Sequence, residues 1–267
     1  MATERPLALV TGASSGIGAA LAERLARDGH DLIVVARRRE RLEALAGQIR
    51  SESGVAVEVL VADLTEEGDL QRVEARVAGE GRLDLLVNNA GFPGYGPFAE
   101  IDPDVAQRLI DIHVLAPLRV TRAALPGMIA RGSGAVVNVA SLLSLSGPLK
   151  IGMAGRATYA GAKSFLLVFT EALAGELEGT GVQAMVCLPG MVESEFHGMR
   201  RGGAHGMPIM SSEDVAQAIV VGLDLGEMVC VPALDDLSPF DTLRDLQQAI
   251  LAGGNGTGLL ALRYREP

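Results

Sequence analysis

The sequence predicts an α/β fold, a single doubly wound domain around a seven-stranded parallel sheet. Short apolar runs alternate with longer amphipathic stretches along most of the 267 residues. That alternation calls for parallel strands joined by crossover helices. Hydrophobic residues make up 48% of the chain and charged residues 21%, enough apolar surface for one large core. No linker, internal repeat or low-complexity tract divides the sequence, so residues 1–267 read as one domain.

Seven apolar runs supply the strands: Leu7–Val10, Leu32–Ala36, Val55–Val61, Leu83–Val87, Ala135–Ala140, Val182–Leu188 and a short Met228–Val231. Helical spacing fills the gaps. Ile17–Arg27 carries Leu21 and Leu25 four apart, and Glu40–Ile49 carries Leu42, Leu45 and Ile49 on one face. Val105–Ile129 is a long helical stretch interrupted by Pro117 and Pro126. Tyr159–Leu177 has Phe165, Leu166, Phe169 and Leu173 as its stripe, and Glu213–Leu223 follows the N-capping candidates Ser211 and Ser212. Gly253–Gly258 reads as a glycine-rich turn.

Composition excludes several function classes. A net charge of -10 provides no basic field for nucleic acid, and 3% aromatics provide few stacking platforms. Cys187 and Cys230 sit in apolar runs and read as buried thiols of a reducing cytoplasm. Met1–Pro6 lacks the pattern of an export signal. The longest uncharged stretch, Gly132–Leu149, is broken by polar residues and Pro148, which disfavours a membrane span.

Two features point to chemistry. The first strand runs into Thr11-Gly12-Ala13-Ser14-Ser15-Gly16-Ile17-Gly18 and then a helix. Small residues there let the backbone approach a pyrophosphate, and the new helix offers free N–H groups and a positive dipole end. The second feature is Tyr159 and Lys163, four apart on one helix face. A phenol titrates near pH 10, and a nearby ammonium favours its ionised form. Ser141 closes the fifth strand at the sheet's carboxyl edge, where its hydroxyl can meet a substrate oxygen, although Ser144 and Ser146 lie close by.

Thr11-Gly12-x-x-x-Gly16-x-Gly18, Asn88-Asn89-Ala90-Gly91, Ser141, Tyr159-x-x-x-Lys163 and Pro189-Gly190 together resemble the short-chain dehydrogenase/reductase family, from residue 6 to about 235. The resemblance implies a Rossmann-type domain that binds a nicotinamide cofactor. It implies that Tyr159 donates or accepts the proton. Lys163 lowers the Tyr159 pKa and binds the nicotinamide ribose, and Ser141 orients the carbonyl or alcohol. The implied cofactor set is Gly12, Ser14, Ser15, Gly16, Ile17, Gly18, Asp63, Leu64, Asn89, Ala90, Gly91, Pro189, Gly190, Val192 and Ser194, with Tyr159 and Lys163. Within it Asp63 contacts the adenine, and Ser194 stands where the family usually has a Thr bonding the carboxamide. The stretch from Ser141 to Tyr159 is about five residues longer than usual in the family, which places extra residues, 148–156, at the pocket rim.

The second strand ends at Ala36 and is followed by Arg37-Arg38-Arg39. NAD-binding relatives usually carry an acidic residue at the strand end. Arg37 can fork onto a 2′-phosphate, so NADP(H) is favoured over NAD(H), although the three arginines also suit a solvated helix start. Residues 194–211 read as a mobile lid containing His197, Arg200, Arg201 and His205; the histidine spacing matches no metal motif, and no metal is expected. Phe92, Tyr95, Leu142 and Leu143 are candidate pocket walls, which suits a small, partly apolar substrate.

His113 stands where the family usually has a catalytic Asn that helps hold a water of a proton relay. An imidazole can serve the same purpose, and its charge can change near neutral pH; the other reading is a packed helix residue. The function expected is an NADP(H)-dependent oxidoreductase acting on a carbonyl or secondary alcohol. The rival is a cofactor-binding sensor of the same fold with little catalysis. A cytoplasmic homodimer or homotetramer without nucleic-acid or membrane partners completes the expectation.

Overall fold

The computed structural model describes residues 5–151, 155–193, 195, 208–256 and 258–265. The chain divides into two compact units, Met1–Pro232 and Ala233–Pro267. The first contains seven strands: β1 Leu7–Thr11, β2 Asp31–Ala36, β3 Val57–Val61, β4 Leu83–Asn88, β5 Gly134–Val139, β6 Val182–Cys187 and β7 Val229–Cys230. They form one sheet in the order β3-β2-β1-β4-β5-β6-β7, and every pairing is parallel. All five residues of β1 are buried. A strand covered on both faces is continuously apolar, which is why these runs do not alternate with polar residues.

Helices cover both faces. On one, α1 (Gly16–Arg27), α2 (Arg39–Ser53) and α7 (Ser212–Asp224) pack Leu21, Leu25, Leu42, Ile49, Val215 and Ile219 against the sheet. On the other, α3 (Glu67–Ala78), α5 (Ala116–Arg131) and α6 (Ala157–Glu176) contribute Leu70, Val73, Val77, Val120, Met128 and Leu173. Helix α4 (Pro103–Ile110) begins at Asp102, whose carboxylate accepts from the Asp104 N–H at 2.8 Å.

Two readings of the sequence need correction. The stretch expected to break at Pro117 and Pro126 runs on through a π-turn, Asp111–Leu115, that joins α4 to α5. The Ala116 N–H reaches back five residues to the Asp111 carbonyl. This wider turn stands just before Pro117, which has no N–H to continue the regular ladder. Pro126 lies inside α5. The second correction concerns Gly253 and Gly254. They belong to α8 (Ser238–Asn255) of the second unit, which also holds a 3₁₀ turn at Leu262–Tyr264. Helices α3 and α8 are additions to the elements read from the sequence.

Candidate active site

The turn after β1 is built tightly enough to require glycine. Gly12 has φ +71°, and a Cβ there would lie 2.8 Å from the Ala90 Cα and from the Asn89 side chain. A Cβ on Gly18 would come within 2.5 Å of the Gly12 carbonyl oxygen and the Asn89 amide nitrogen. Thr11 and Asn89 lock the two segments together. The Thr11 hydroxyl accepts from the Asn89 and Ala90 N–H groups at 2.9 and 3.0 Å, and the Asn89 amide donates to the Thr11 carbonyl at 2.9 Å. Ser15 is the N-cap of α1 but its hydroxyl accepts from no helix N–H, and the helix has no acidic residue in its first turn. Its leading N–H groups and dipole are therefore free to receive an anion.

A cavity of about 380 Å³ follows the carboxyl ends of the strands. The glycine turn, Ser14, Ser15, Asp63, Leu64, Asn89, Ala90, Gly91, Ser141, Tyr159, Lys163, Pro189, Gly190 and Val192 line it, with Arg37 and Arg38 at its margin. Of the residues expected at the site, Gly18 packs behind the turn, and His113 does not line the cavity. Ser194, His197, Arg200, Arg201 and His205 lie outside the described residues. Phe92 is the one of the four pocket-wall candidates that lines this cavity.

At the basic end, Arg38 lies across the glycine turn. Its guanidinium donates to the Ser14 hydroxyl at 2.8 Å and to the Ser15 hydroxyl at 2.6 Å. Another of its nitrogens meets Glu195 at 2.7 Å, and Arg41 meets the same carboxylate at 2.6 Å. These bonds, first from Arg41 and then from Arg38, pull the Glu195 carboxyl down to about 2. Arg37 is more exposed and faces Asp63 at 3.4 Å. Burial opposes ionisation of Asp63, but the Thr65 amide and hydroxyl, with Arg37, hold its carboxyl below the usual range.

At the other end, Tyr159 and Lys163 are both buried, 5% and 4% exposed. The Tyr159 ring meets the Tyr95 ring, their centres 5.3 Å apart, and Ser141 lines the same cavity. The Lys163 ammonium donates to the Val139 carbonyl at 2.8 Å and lies 5.8 Å from the Tyr159 ring centre. Burial pushes the Tyr159 phenol above its ordinary value and pulls Lys163 down to about 7. Enclosure disfavours charge on both groups.

The three nearby serines divide cleanly. Ser141 lines the cavity with Tyr159, Ser144 donates to the Lys163 carbonyl at 3.0 Å, and Ser146 donates to the Leu143 carbonyl at 2.8 Å.

His113 sits in the π-turn, buried, with Nε2 3.0 Å from the Phe92 carbonyl and its ring edge-on to Tyr159 at 5.3 Å. Burial first, and the Lys163 charge second, hold its pKa well below the usual value. The expected change of charge near neutral pH is therefore corrected: His113 is neutral there. The bond to the Phe92 carbonyl places its proton on Nε2 and leaves Nδ1 as a buried acceptor without a hydrogen-bond partner. Gly91 makes room for it, since a Cβ there would lie 2.3 Å from the His113 Cε1.

The short chain dehydrogenase family model matches residues 6–203. The chain belongs to the short-chain dehydrogenase/reductase family. Among solved structures, this short-chain dehydrogenase/reductase resembles a short-chain dehydrogenase from Sphingobium yanoikuyae in complex with NADPH. The identity is 38% and the TM-score 0.89, over 97% of this chain and 100% of the other. It also resembles the bulky-bulky ketone specific alcohol dehydrogenase from Comamonas testosteroni, with 32% identity and a TM-score of 0.88 over 99% and 100% of the two chains. A short chain dehydrogenase of Pseudocercospora fijiensis is 41% identical over 192 residues, covering 71% of this chain and 60% of that protein.

Three features of this short-chain dehydrogenase/reductase escaped the sequence reading. Arg38, rather than Arg37, reaches the glycine turn. The Tyr95 ring meets the Tyr159 ring. Beneath the cavity, the Asn88 amide donates to the Thr121 hydroxyl and the Asn138 carbonyl oxygen, at 3.0 and 2.9 Å, and the Asn138 amide donates to the Thr170 hydroxyl at 2.8 Å. The signal for that network was available, because an Asn inside Val136–Val139 must find partners once the strand is buried. Among the described residues no helix is long and apolar enough to cross a membrane, and no group of three His, Cys, Asp or Glu could hold a metal ion.

Proposed function

We propose that the chain is an NADP(H)-dependent oxidoreductase acting on a small, partly apolar ketone or the matching secondary alcohol. One observation carries the reading. Tyr159, with Lys163 on the same helix, lines the same cavity as Ser141 and the glycine turn. The residues present fit a dinucleotide. Gly12 and Gly18 leave no space for a Cβ, the α1 N-terminus lacks a side-chain cap, and Arg37 and Arg38 supply positive charge beside Ser14.

The cofactor supplies or receives the hydride at its nicotinamide ring. In the reducing direction Ser141 donates a hydrogen bond to the substrate oxygen, and Tyr159 gives that oxygen its proton. In oxidation the proton returns to Tyr159. Lys163 holds positive charge beneath the phenol and favours its ionised form whenever the lysine is protonated. The α1 N-terminus and glycine turn receive the pyrophosphate, and Arg38 with Arg37 receives the 2′-phosphate. The NADPH complex of the Sphingobium relative supports this choice of cofactor, and the ketone specificity of the Comamonas relative supports the substrate class.

The test is a panel of ketones and secondary alcohols, each assayed with NADPH, NADH and their oxidised forms. Turnover of a ketone with preference for NADPH is the expected result. Tight NADPH binding without turnover across the panel would favour a cofactor-binding regulatory protein instead.

A further inference from the structure

The short strand β7 holds Cys230 beside Cys187 of β6. The two residues are register partners in a parallel pair, and both thiols are free. Register partners project from the same face of a sheet. Here that face is the one covered by α1, α2 and α7, since both cysteines belong to the core packed there. The Cys230 thiol donates to the Ala218 carbonyl of α7 at 3.6 Å. Met185, two residues before Cys187, lies against the same helix. A Cβ on Gly222 of α7 would fall 3.2 Å from the Met185 Sδ and 3.5 Å from the Cys230 Cβ.

Neighbouring strands run about 4.8 Å apart, within the Cα separation of about 4.4–6.8 Å that a disulfide spans. The sequence holds 2 cysteines, so one intramolecular pairing exists. Strand β7 is two residues long and stands at the end of the sheet. Bonds from the Val186 N–H to the Met228 carbonyl and from the Leu188 N–H to the Cys230 carbonyl fasten it, at 2.9 and 2.8 Å. A short edge strand opens locally at less cost than a central one, which gives a small oxidant access to a buried thiol.

We propose that Cys187 and Cys230 form a site of reversible oxidation, at which a peroxide closes a disulfide between β6 and β7. The site is separate from the function proposed above and requires no cofactor. The bridge closes residues 188–229 into a loop that carries Pro189, Gly190 and Val192 of the cavity.

The Cys230 thiolate attacks one oxygen of hydrogen peroxide. The O–O bond breaks, hydroxide leaves, and Cys230 becomes a sulfenic acid. The Cys187 thiolate then attacks that sulfur; the S–O bond breaks, the S–S bond forms and a second hydroxide leaves. With the two protons given up by the thiols, the products are one disulfide and two waters. The thiols lose two electrons and the peroxide gains them. Disulfides prefer Cβ atoms about 3.5–4.5 Å apart, closer than the strand spacing, so this bridge forms under strain and is readily reduced.

The experiment exposes folded wild type to hydrogen peroxide, then denatures and alkylates it and reads the intact mass and the tryptic map. Both thiols should be lost together within a single chain, with one cross-linked peptide that contains Cys187 and Cys230. Reduced glutathione should restore both. Cys187→Ala removes the second thiol, so oxidation should stop at a Cys230 sulfenic acid that dimedone captures. If that variant does not fold, the wild-type mass and map decide alone. Two thiols that both stay alkylatable after peroxide would overturn the proposal. So would bridges between chains, or stepwise oxidation to sulfinic acid without a bridge. A bridge that appears only in denaturant would overturn it as well, because the strand pairing would then play no part.

Discussion

Lys163 is a cation enclosed at a place where charge is costly. Its ammonium has the Val139 carbonyl as a partner, and burial lowers its pKa from 10.5 to about 7. The unfolded chain therefore binds one more proton than the folded chain between about pH 7 and pH 10.5, so the lysine's destabilising effect fades as pH rises through that window. Below about pH 7 both states are protonated, and the full cost is present. Lys163→Met removes the buried charge and keeps most of the volume. Thermal unfolding should show the variant stabilised by about 1–2 kcal/mol near pH 6, a rise of roughly 2–8 °C in Tm, with the gain shrinking towards pH 10. Cofactor-dependent turnover should be lost at the same time. A gain that does not change with pH would mean that the charge is not what the fold opposes.

The π-turn sets His113 against the end of β4. Extra width at this turn brings the imidazole between the Phe92 carbonyl and the Tyr159 ring, and Gly91 supplies the space. Gly91→Ala should cost about 1–3 kcal/mol of stability, because its Cβ would fall 2.3 Å from the His113 ring. Asn is shorter than His, so adding His113→Asn should recover part of that loss. Denaturant unfolding of both single variants and the double variant tests this, and strictly additive losses would show that the ring yields freely.

The same element shows what could be read from sequence. The strands were legible, because runs such as Leu32–Ala36 are buried on both faces and need no periodicity to be recognised. The glycine turn and the Tyr159–Lys163 pair were legible because their partners lie close by in sequence. The π-turn was hidden because Pro117 reads as a break. Helix α3 was hidden because Leu70, Val73 and Val77 are spread through a mostly charged and polar stretch. The contacts of Arg38 and Tyr95 were out of reach because Glu195 and Tyr159 lie far along the chain.

At the scale of the whole molecule, the net charge opposes the proposed ligand, and the arginines at the start of α2 run against it. The chain carries a net charge of -10, and NADPH is a polyanion. Arg37, Arg38, Arg39 and Arg41 cluster at the start of α2, beside the cavity that the first two line. Asp63, Glu195 and Glu43 already partner these arginines, at 3.4 Å for Arg37, 2.7 and 2.6 Å for Arg38 and Arg41, and 3.9 Å for Arg39. A 2′-phosphate must therefore compete with carboxylates for Arg38, and its gain over a plain ribose hydroxyl is electrostatic. Such a gain is screened by salt, with a Debye length of about 10 Å at 0.1 M falling to about 3 Å at 1 M. NADPH affinity should fall more steeply than NADH affinity as salt rises to about 0.5 M. Arg38→Ala should weaken NADPH by about tenfold, a loss of about 1.4 kcal/mol, with little effect on NADH, and should bring the two salt dependences together. Equal salt slopes for the two cofactors in the wild type, measured by nicotinamide fluorescence titration, would remove the 2′-phosphate from this arginine cluster.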